Sequence, residues 1–271
     1  VALRSVAYQP PSYTLIKPFT RSTGRISAVE GTEITISAKA NGPIARAAIE
    51  FNPKPVGETI QATDGALEMT VGQDGMELGI TFPLRIERGR SMAVRRDSYR
   101  IRVWDAAGVS NPDPIIFPIE IIRDLPPEIA IMLPTRVPKD VPLGTQQIIE
   151  VHSSDADFGL REIQLRIQSG IKTIGEPVLW KHDTGKRGNQ VAEYRFRPSE
   201  LGLAVGDTVS VLAIARDNRV DSQSFNAVSG NSKSVDLHSN GSGVDVGAGA
   251  NVVETDPIEL RIVAEDQTPP A

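Results

Sequence analysis

Residues 33–40 read Glu-Ile-Thr-Ile-Ser-Ala-Lys-Ala, and this alternation decides the fold. On an extended chain successive side chains point to opposite faces. Ile34, Ile36, Ala38 and Ala40 therefore share one face, and Glu33, Thr35, Ser37 and Lys39 share the other. The same period continues outward. Ala47, Ile49 and Phe51 alternate with Arg46, Ala48 and Glu50; Met76, Leu78, Ile80 and Phe82 repeat the pattern; Tyr99, Ile101 and Val103 stand against Arg100 and Arg102. The second half carries Ile163-Leu165-Ile167, Tyr194-Phe196, Val209-Val211-Ala213-Ala215 and Ile258-Leu260-Ile262. Each segment has one side for a core and one for water, as strands of antiparallel sheets packed face to face require. The best helical signal, Pro198 to Gly202, is long enough for one turn. An α/β chain would need amphipathic stretches of about ten residues between its strands. The reading is all-β, with 20 prolines and 23 glycines punctuating the strands.

The pattern occurs twice. Gly31-Thr32-Glu33 opens a strand pair, as Gly144-Thr145-Gln146 does later. Tyr99 to Asp105 aligns with Val211 to Asp217, Pro118-Ile-Glu-Ile121 with Pro257-Ile-Glu-Leu260, and Asp124-Leu-Pro126-Pro127 with Asp266-Gln-Thr-Pro269-Pro270. Signals in one order at a spacing of about 110 to 140 residues describe two copies of one domain. The expected division is an extended leader over 1–24, a first sandwich over 25–124 and a second over 125–271. Two prolines stiffen the joint toward an extended form, predicting a semi-rigid tandem. The Ser-, Gly- and Asn-rich stretch at about 219–256 reads as a flexible insertion between the last two strands of the second domain.

Composition excludes several functions. The chain has 271 residues, 39% hydrophobic and 23% charged, and only 5% aromatic, so its core must rest on aliphatic side chains. A net charge of -5 argues against general nucleic-acid binding, which needs a basic surplus. With no cysteine, disulfides and thiolate-held zinc are excluded, and an oxidising compartment is compatible. No run approaches the roughly 20 apolar residues of a spanning helix, so no membrane insertion is expected. The start at Val1 suggests a fragment whose anchor would lie elsewhere.

Asp97, then Tyr99-Arg-Ile-Arg-Val-Trp-Asp105-Ala-Ala-Gly108 with Asn111, resembles the penultimate strand and turn of immunoglobulin-like and fibronectin-like modules. The resemblance makes Tyr99 a corner tyrosine whose hydroxyl bonds nearby backbone. Val211 stands at that place in the second domain. Ala28-Val-Glu-Gly-Thr32 leading to Ala40-Asn-Gly-Pro-Ile44, and Ser154 to Glu162, are similar to a domain type of large planctomycete-type cell-envelope proteins. That resemblance implies two tandem Ig-like antiparallel β-sandwiches, an extracytoplasmic location and an anchor outside this fragment. It implies no activity and supplies no catalytic residue.

Candidate chemistry is sparse. His152, His182 and His238 are scattered, and His152-Ser-Ser-Asp155 lies along one strand end, where neighbours point apart and cannot converge as a triad. Calcium is the alternative to having no cofactor: Asp155 and Asp157 stand in one loop, and Asp124 and Glu128 flank the joint. The competing role for Asp155 and Asp157 is turn formation. Arg85, Arg88, Arg90, Arg95, Arg96, Arg100 and Arg102 form either an anion-binding patch or a solvated sheet face with a polar loop. Trp104, out of phase with Tyr99, Ile101 and Val103, should face outward. With Trp180 it is the aromatic candidate for stacking on an envelope polymer. Asp105 and Asp217 read as structural turn residues. The expected role is a non-catalytic spacer or docking segment for a protein partner along a sheet edge. Carbohydrate binding and a calcium-stiffened rod are the alternatives.

Overall fold

The computed structural model describes residues 1–57, 59–85, 87–88, 93–94, 96–219 and 249–265, with 87, 88, 93 and 94 as backbone alone. The chain divides into two compact units, Val1–Asp124 and Leu125–Ala271. Each has its own hydrophobic cluster.

In the first unit the strands are β1 Ala2–Gln9, β2 Phe19–Arg21, β3 Ile26–Val29, β4 Glu33–Lys39, β5 Arg46–Phe51, β6 Pro53–Val56, β7 Thr59–Ala62, β8 Ala66–Val71, β9 Glu77–Pro83, β10 Glu87–Arg88, β11 Ala93–Val94, β12 Ser98–Trp104 and β13 Ile116–Ile122. One layer runs β2-β1-β4-β9 and the other β5-β12-β13-β3. β8 joins them: its Ala66 to Met69 pair with β5, and Thr70 and Val71 pair with β9. The period-two faces meet between the layers. Val6, Tyr8, Ile34, Ile36 and Phe82 come from one side, and Ile49, Phe51, Tyr99, Ile119 and Ile121 from the other. Burying each of the larger side chains contributes about 1.5–3 kcal/mol.

The stretch 1–24 is more than a leader. β1 pairs along its length with β4, and Val6 and Tyr8 are fully inside the core. Leu3, Val6 and Tyr8 face the core although they are not in one period-two phase, because a bulge between Leu3 and Ser5 shifts the register. That break, followed by Gln9-Pro10-Pro11, hides the strand in the sequence.

The second unit holds β14 Glu128–Leu133, β15 Lys139–Pro142, β16 Gln147–Ser169, β17 Lys172–Gly175, β18 Val178–Phe196, β19 Thr208–Asp217, β20 Val252–Glu254 and β21 Ile258–Val263. β16 and β18 are long because each crosses from one layer to the other. Residues 147–155 of β16 pair with 188–196 of β18, and beyond the irregularity at Asp155/Leu160 the strand pairs with β19 and with the first half of β18. Two glycines, Gly185 (φ 82) and Gly188 (φ 82), turn β18 between layers in a backbone region that other residues enter at a cost.

The wiring of the two units matches. The first strand pairs antiparallel with the strand after it in its layer, β1 with β4 and β14 with β16. A short later strand pairs parallel with the last one, β3 with β13 and β15 with β21. The central pair β5–β12 corresponds to β16–β19. Both are immunoglobulin-like antiparallel sandwiches. Among the described residues helix is limited to short 3-10 turns, Ser12–Thr14 and Pro198–Leu201, and no helix is long and apolar enough to cross a membrane. Most of the insertion expected at 219–256, residues 220–248 with His238, lies outside the described residues.

Candidate functional site

Among the described residues of the second unit the buried polar ones are Ser153, Asp155, Gln190, Asp217, Asn218 and Asn251, most of them linked by hydrogen bonds around the turn at Asp155 and the end of β19. Asp155 ends the first half of β16, and its Oδ1 accepts hydrogen bonds from the backbone N–H groups of Asp157 (3.1 Å), Phe158 (3.2 Å) and Gly159 (3.0 Å). Asp157 Oδ1 accepts from Phe158 N at 2.8 Å, and its Oδ2 from Leu125 N at 2.9 Å. These oxygens are committed to building the turn. Asp155 is 2% exposed and its Oδ2 receives no donor from the protein. Burial, reinforced by a shared hydrogen bond with Asp157, pushes the Asp155 carboxyl up to about 6. Two neighbouring carboxyls cannot both ionise at low cost, so Asp155 holds a proton more tightly than an ordinary carboxyl does.

Asn218 ties this turn to β18. Its Nδ2 donates to Phe158 O at 3.2 Å and to Thr184 O at 2.9 Å. Beside it Asp217, 1% exposed, accepts from Asn251 N at 2.8 Å and from Asn251 Nδ2 at 2.6 Å. Asp217 thereby joins the two ends of the long connection between β19 and β20. Burial raises its carboxyl pKa, and the donors from Arg219 and Asn251 oppose the shift. Asp105 does the corresponding work in the first unit, its Oδ1 accepting from Ala107 N and Val109 N, each at 2.9 Å. Asn218 and Asn251 were not singled out from the sequence. The Asp-Asn pair at the end of a buried run was the available signal for the first. Asn251 lies too far along the chain to be linked to it by pattern.

Of the residues weighed for calcium, Glu128 begins β14 and its backbone carbonyl accepts from Ser153 Oγ at 2.7 Å. Among the described residues no three or more His, Asp or Glu side chains converge as a metal-ligand set. His152 Nε2 lies 2.6 Å from Glu150 Oε1 on a sheet face, and His182 stacks on Trp180 with ring centroids 6.1 Å apart.

The arginine stretch of the first unit dissolves into separate roles. Arg100 was expected on a solvated face, yet it is 2% exposed. Its guanidinium bonds Glu50 Oε2 at 2.6 Å from Nε and donates to Ile60 O at 2.7 Å. The reason is the β6–β7 hairpin: its Ile60 carbonyl reaches the outward face of β12 and closes over the ion pair. Arg102 is half-buried, donates to Ser110 Oγ at 3.3 Å and lies 3.9 Å from Glu50. Arg96 lies over the buried Phe51 ring, 4.2 Å from its centroid. Arg88 belongs to the short β10, and Arg90 and Arg95 lie outside the described residues. Trp104 faces outward and is half-buried, with the Arg46 guanidinium 4.4 Å from its ring centroid. Trp180 packs against the rim of the second core.

Tyr99 is fully buried, and its hydroxyl donates to Gly24 O at 2.8 Å, across the chain rather than within a local corner. Burial raises its pKa well above the usual phenol range. At Gly24 a Cβ would meet the Phe117 ring at 2.2 Å, so that approach requires glycine.

The remaining feature is an edge. β18, 19 residues long, pairs on one side with β16, and among the described residues no strand covers its other side. Along its second half Gln190, Ala192 and Phe196 face inward, while Val191, Glu193 and Arg195 are exposed. The grooves of the first unit are open and shallow. One groove, of about 540 Å³, is lined by residues that include Leu3, Ile101, Pro112, Ile115 and Phe117.

No family model matches the chain, and no curated protein matches it. Among solved structures it is similar to the titin fragment Titin-A168169, with 12% identity, 88% of this chain and 95% of that one covered, and a TM-score of 0.23. It is also similar to a marsupial T cell receptor, with 9% identity, coverage of 91% and 73%, and a TM-score of 0.28. The titin Ig tandem A164-A165 aligns with 8% identity, coverage of 98% and 100%, and a TM-score of 0.22. At these scores the similarity adds nothing to what the strand wiring already establishes.

Proposed function

We propose that the chain is a non-catalytic structural and interaction module, a semi-rigid spacer that offers sheet edges to partners. The observation that carries this reading is the repetition. The same sandwich is built twice, and residues 123–127, two of them proline, are all that separates β13 from β14. Two adjacent prolines hold a connector extended and limit its freedom. The buried groups with shifted pKa, Asp155, Asp217 and Tyr99, support the same reading, because each is engaged by turn, loop-end or strand-flanking groups of the fold itself. An extracytoplasmic setting belongs to this proposal. It is supported by the resemblance of Ala28–Thr32 and Ser154–Glu162 to cell-envelope domains and by the lack of cysteine. Polymer stacking on Trp104 is disfavoured by the guanidinium already lying over its ring.

The absence of native cysteine allows clean spin labelling. With Lys54→Cys and Lys172→Cys labelled, electron–electron distance measurements should give one narrow distribution. Pro126→Gly with Pro127→Gly should broaden it about twofold. Equal widths before and after the substitutions would remove the spacer reading.

A further inference from the structure

We infer that the outer edge of β18 pairs with the same edge of a second copy of this chain, antiparallel about a two-fold axis at Tyr194. The inference rests on the interaction-module reading and names its partner.

Three observations converge on this edge. The strand carries a regular run from Asn189 to Phe196 paired with Ser154 to Gln147 of β16, and its opposite side offers backbone donors and acceptors that no described strand takes up. Unpaired edges of this length invite another strand unless charges repel it. Here the charges do not repel a second copy. Glu193 and Arg195 are exposed on one face, two residues apart and opposite in sign, and among the described residues neither makes an ion pair. Glu193 also stands directly across from Glu150 in the β16–β18 register, and Glu150 is already engaged by His152. Like charges directly opposite on a sheet are unfavourable, so Glu193 is left in need of a cation from its open side.

A two-fold axis at residue 194 supplies one. Each Glu193 then faces the other copy's Arg195, and each Arg195 faces the other copy's Glu193. On the inner face the two Tyr194 rings meet each other, while Phe196 is fully buried in its own core and takes no part in the contact. Tyr194 is half-buried at the rim of the second core, so this pairing would cover a ring that one copy leaves partly open. Shifting the register by one residue either way sets Glu193 against Tyr194 or against the inward Phe196 and leaves both charges unsatisfied, and moving the axis a full residue sets Glu193 against Glu193 or Arg195 against Arg195. The pairing stops at Pro198, which has no N–H to donate. An isologous contact of this kind closes on itself and yields a dimer, not a fibre.

The test is sedimentation of the full chain across concentration. A short edge-to-edge interface predicts a weak dimer, with Kd in the range of about 0.1–1 mM. By symmetry each single reversal, Glu193→Arg or Arg195→Glu, turns two attractive pairs into two repulsive ones and should weaken the dimer about tenfold or more. The double exchange restores opposite signs in the same register and should recover the wild-type value. A chain that stays monomeric at about 1 mM overturns the inference and leaves the spacer reading intact. A dimer indifferent to the reversals, or one that the double exchange fails to rescue, also overturns it.

Discussion

Replacing Asp155 with Asn should make the second domain more stable at neutral pH and no more stable in acid. In the folded domain the Asp155 carboxyl titrates at about 6, against an ordinary value of 3.8, because burial penalises its charge and Asp157 lies beside it. A group that binds its proton more tightly when folded stabilises the fold where the proton is present. The contribution is therefore favourable relative to neutral pH below about 3.8, falls as pH rises through the window from 3.8 to about 6, and is fully lost above it. The span corresponds to about 3 kcal/mol. Asn keeps the acceptor oxygen for the three turn N–H groups and places an NH₂ where the carboxyl's proton sits, so it mimics the protonated acid without titrating. The stability difference between variant and wild type should thus grow by about 3 kcal/mol from pH 3 to pH 7.5, a shift of about 1–2 M in urea midpoint. Asp217, also raised by burial, contributes a slope of the same sign to both proteins and cancels in the difference. Each domain contains one of the two tryptophans, so in a Trp104→Phe background the fluorescence of Trp180 follows the second domain alone. A difference that stays flat with pH, or one that shrinks as pH rises, would show that folding does not raise the Asp155 pKa and refute the reasoning.

Two further substitutions probe the first domain, read by Trp104 fluorescence in a Trp180→Phe background. Tyr99→Phe deletes the buried hydroxyl and leaves Gly24 O without its donor, which should cost about 1–3 kcal/mol in urea unfolding; a loss below measurement would mean that water replaces the bond. Glu50→Gln leaves the buried Arg100 guanidinium without its counter-charge and should cost about 3–5 kcal/mol, whereas Glu68→Gln, at the exposed Arg46 pair, should cost less than about 1 kcal/mol; equal losses would contradict the burial argument.

How much of this was legible beforehand depended on whether the information was local. Ile34, Ile36, Ala38 and Ala40, or Val209 through Ala215, declare a strand and its buried face within a few residues, because side-chain direction on a strand has a fixed period. The doubled architecture was legible for the same reason: local patterns recurred in order. Arg100 was misplaced because its burial is decided by the β6–β7 hairpin some 40 residues earlier, which no period along β12 can announce. β1 was undervalued because the bulge between Leu3 and Ser5 breaks its alternation and prolines follow at its end. The chemistry at Asp155 was half legible: Asp155 and Asp157 could be read as turn residues or as ligands. Only the three backbone donors on one oxygen, with none on the other, identify Asp155 as a turn residue whose charge is penalised by burial. The edge of β18 was least legible of all. Glu193 and Arg195 look like ordinary solubilising charges in the sequence. They gain meaning from two facts that only pairing reveals, that Glu150 stands opposite Glu193 and that no described strand stands on the other side. A charge pattern that repels every neighbour guards an edge, while one that complements itself under a two-fold axis selects a single neighbour, and this edge has the second kind.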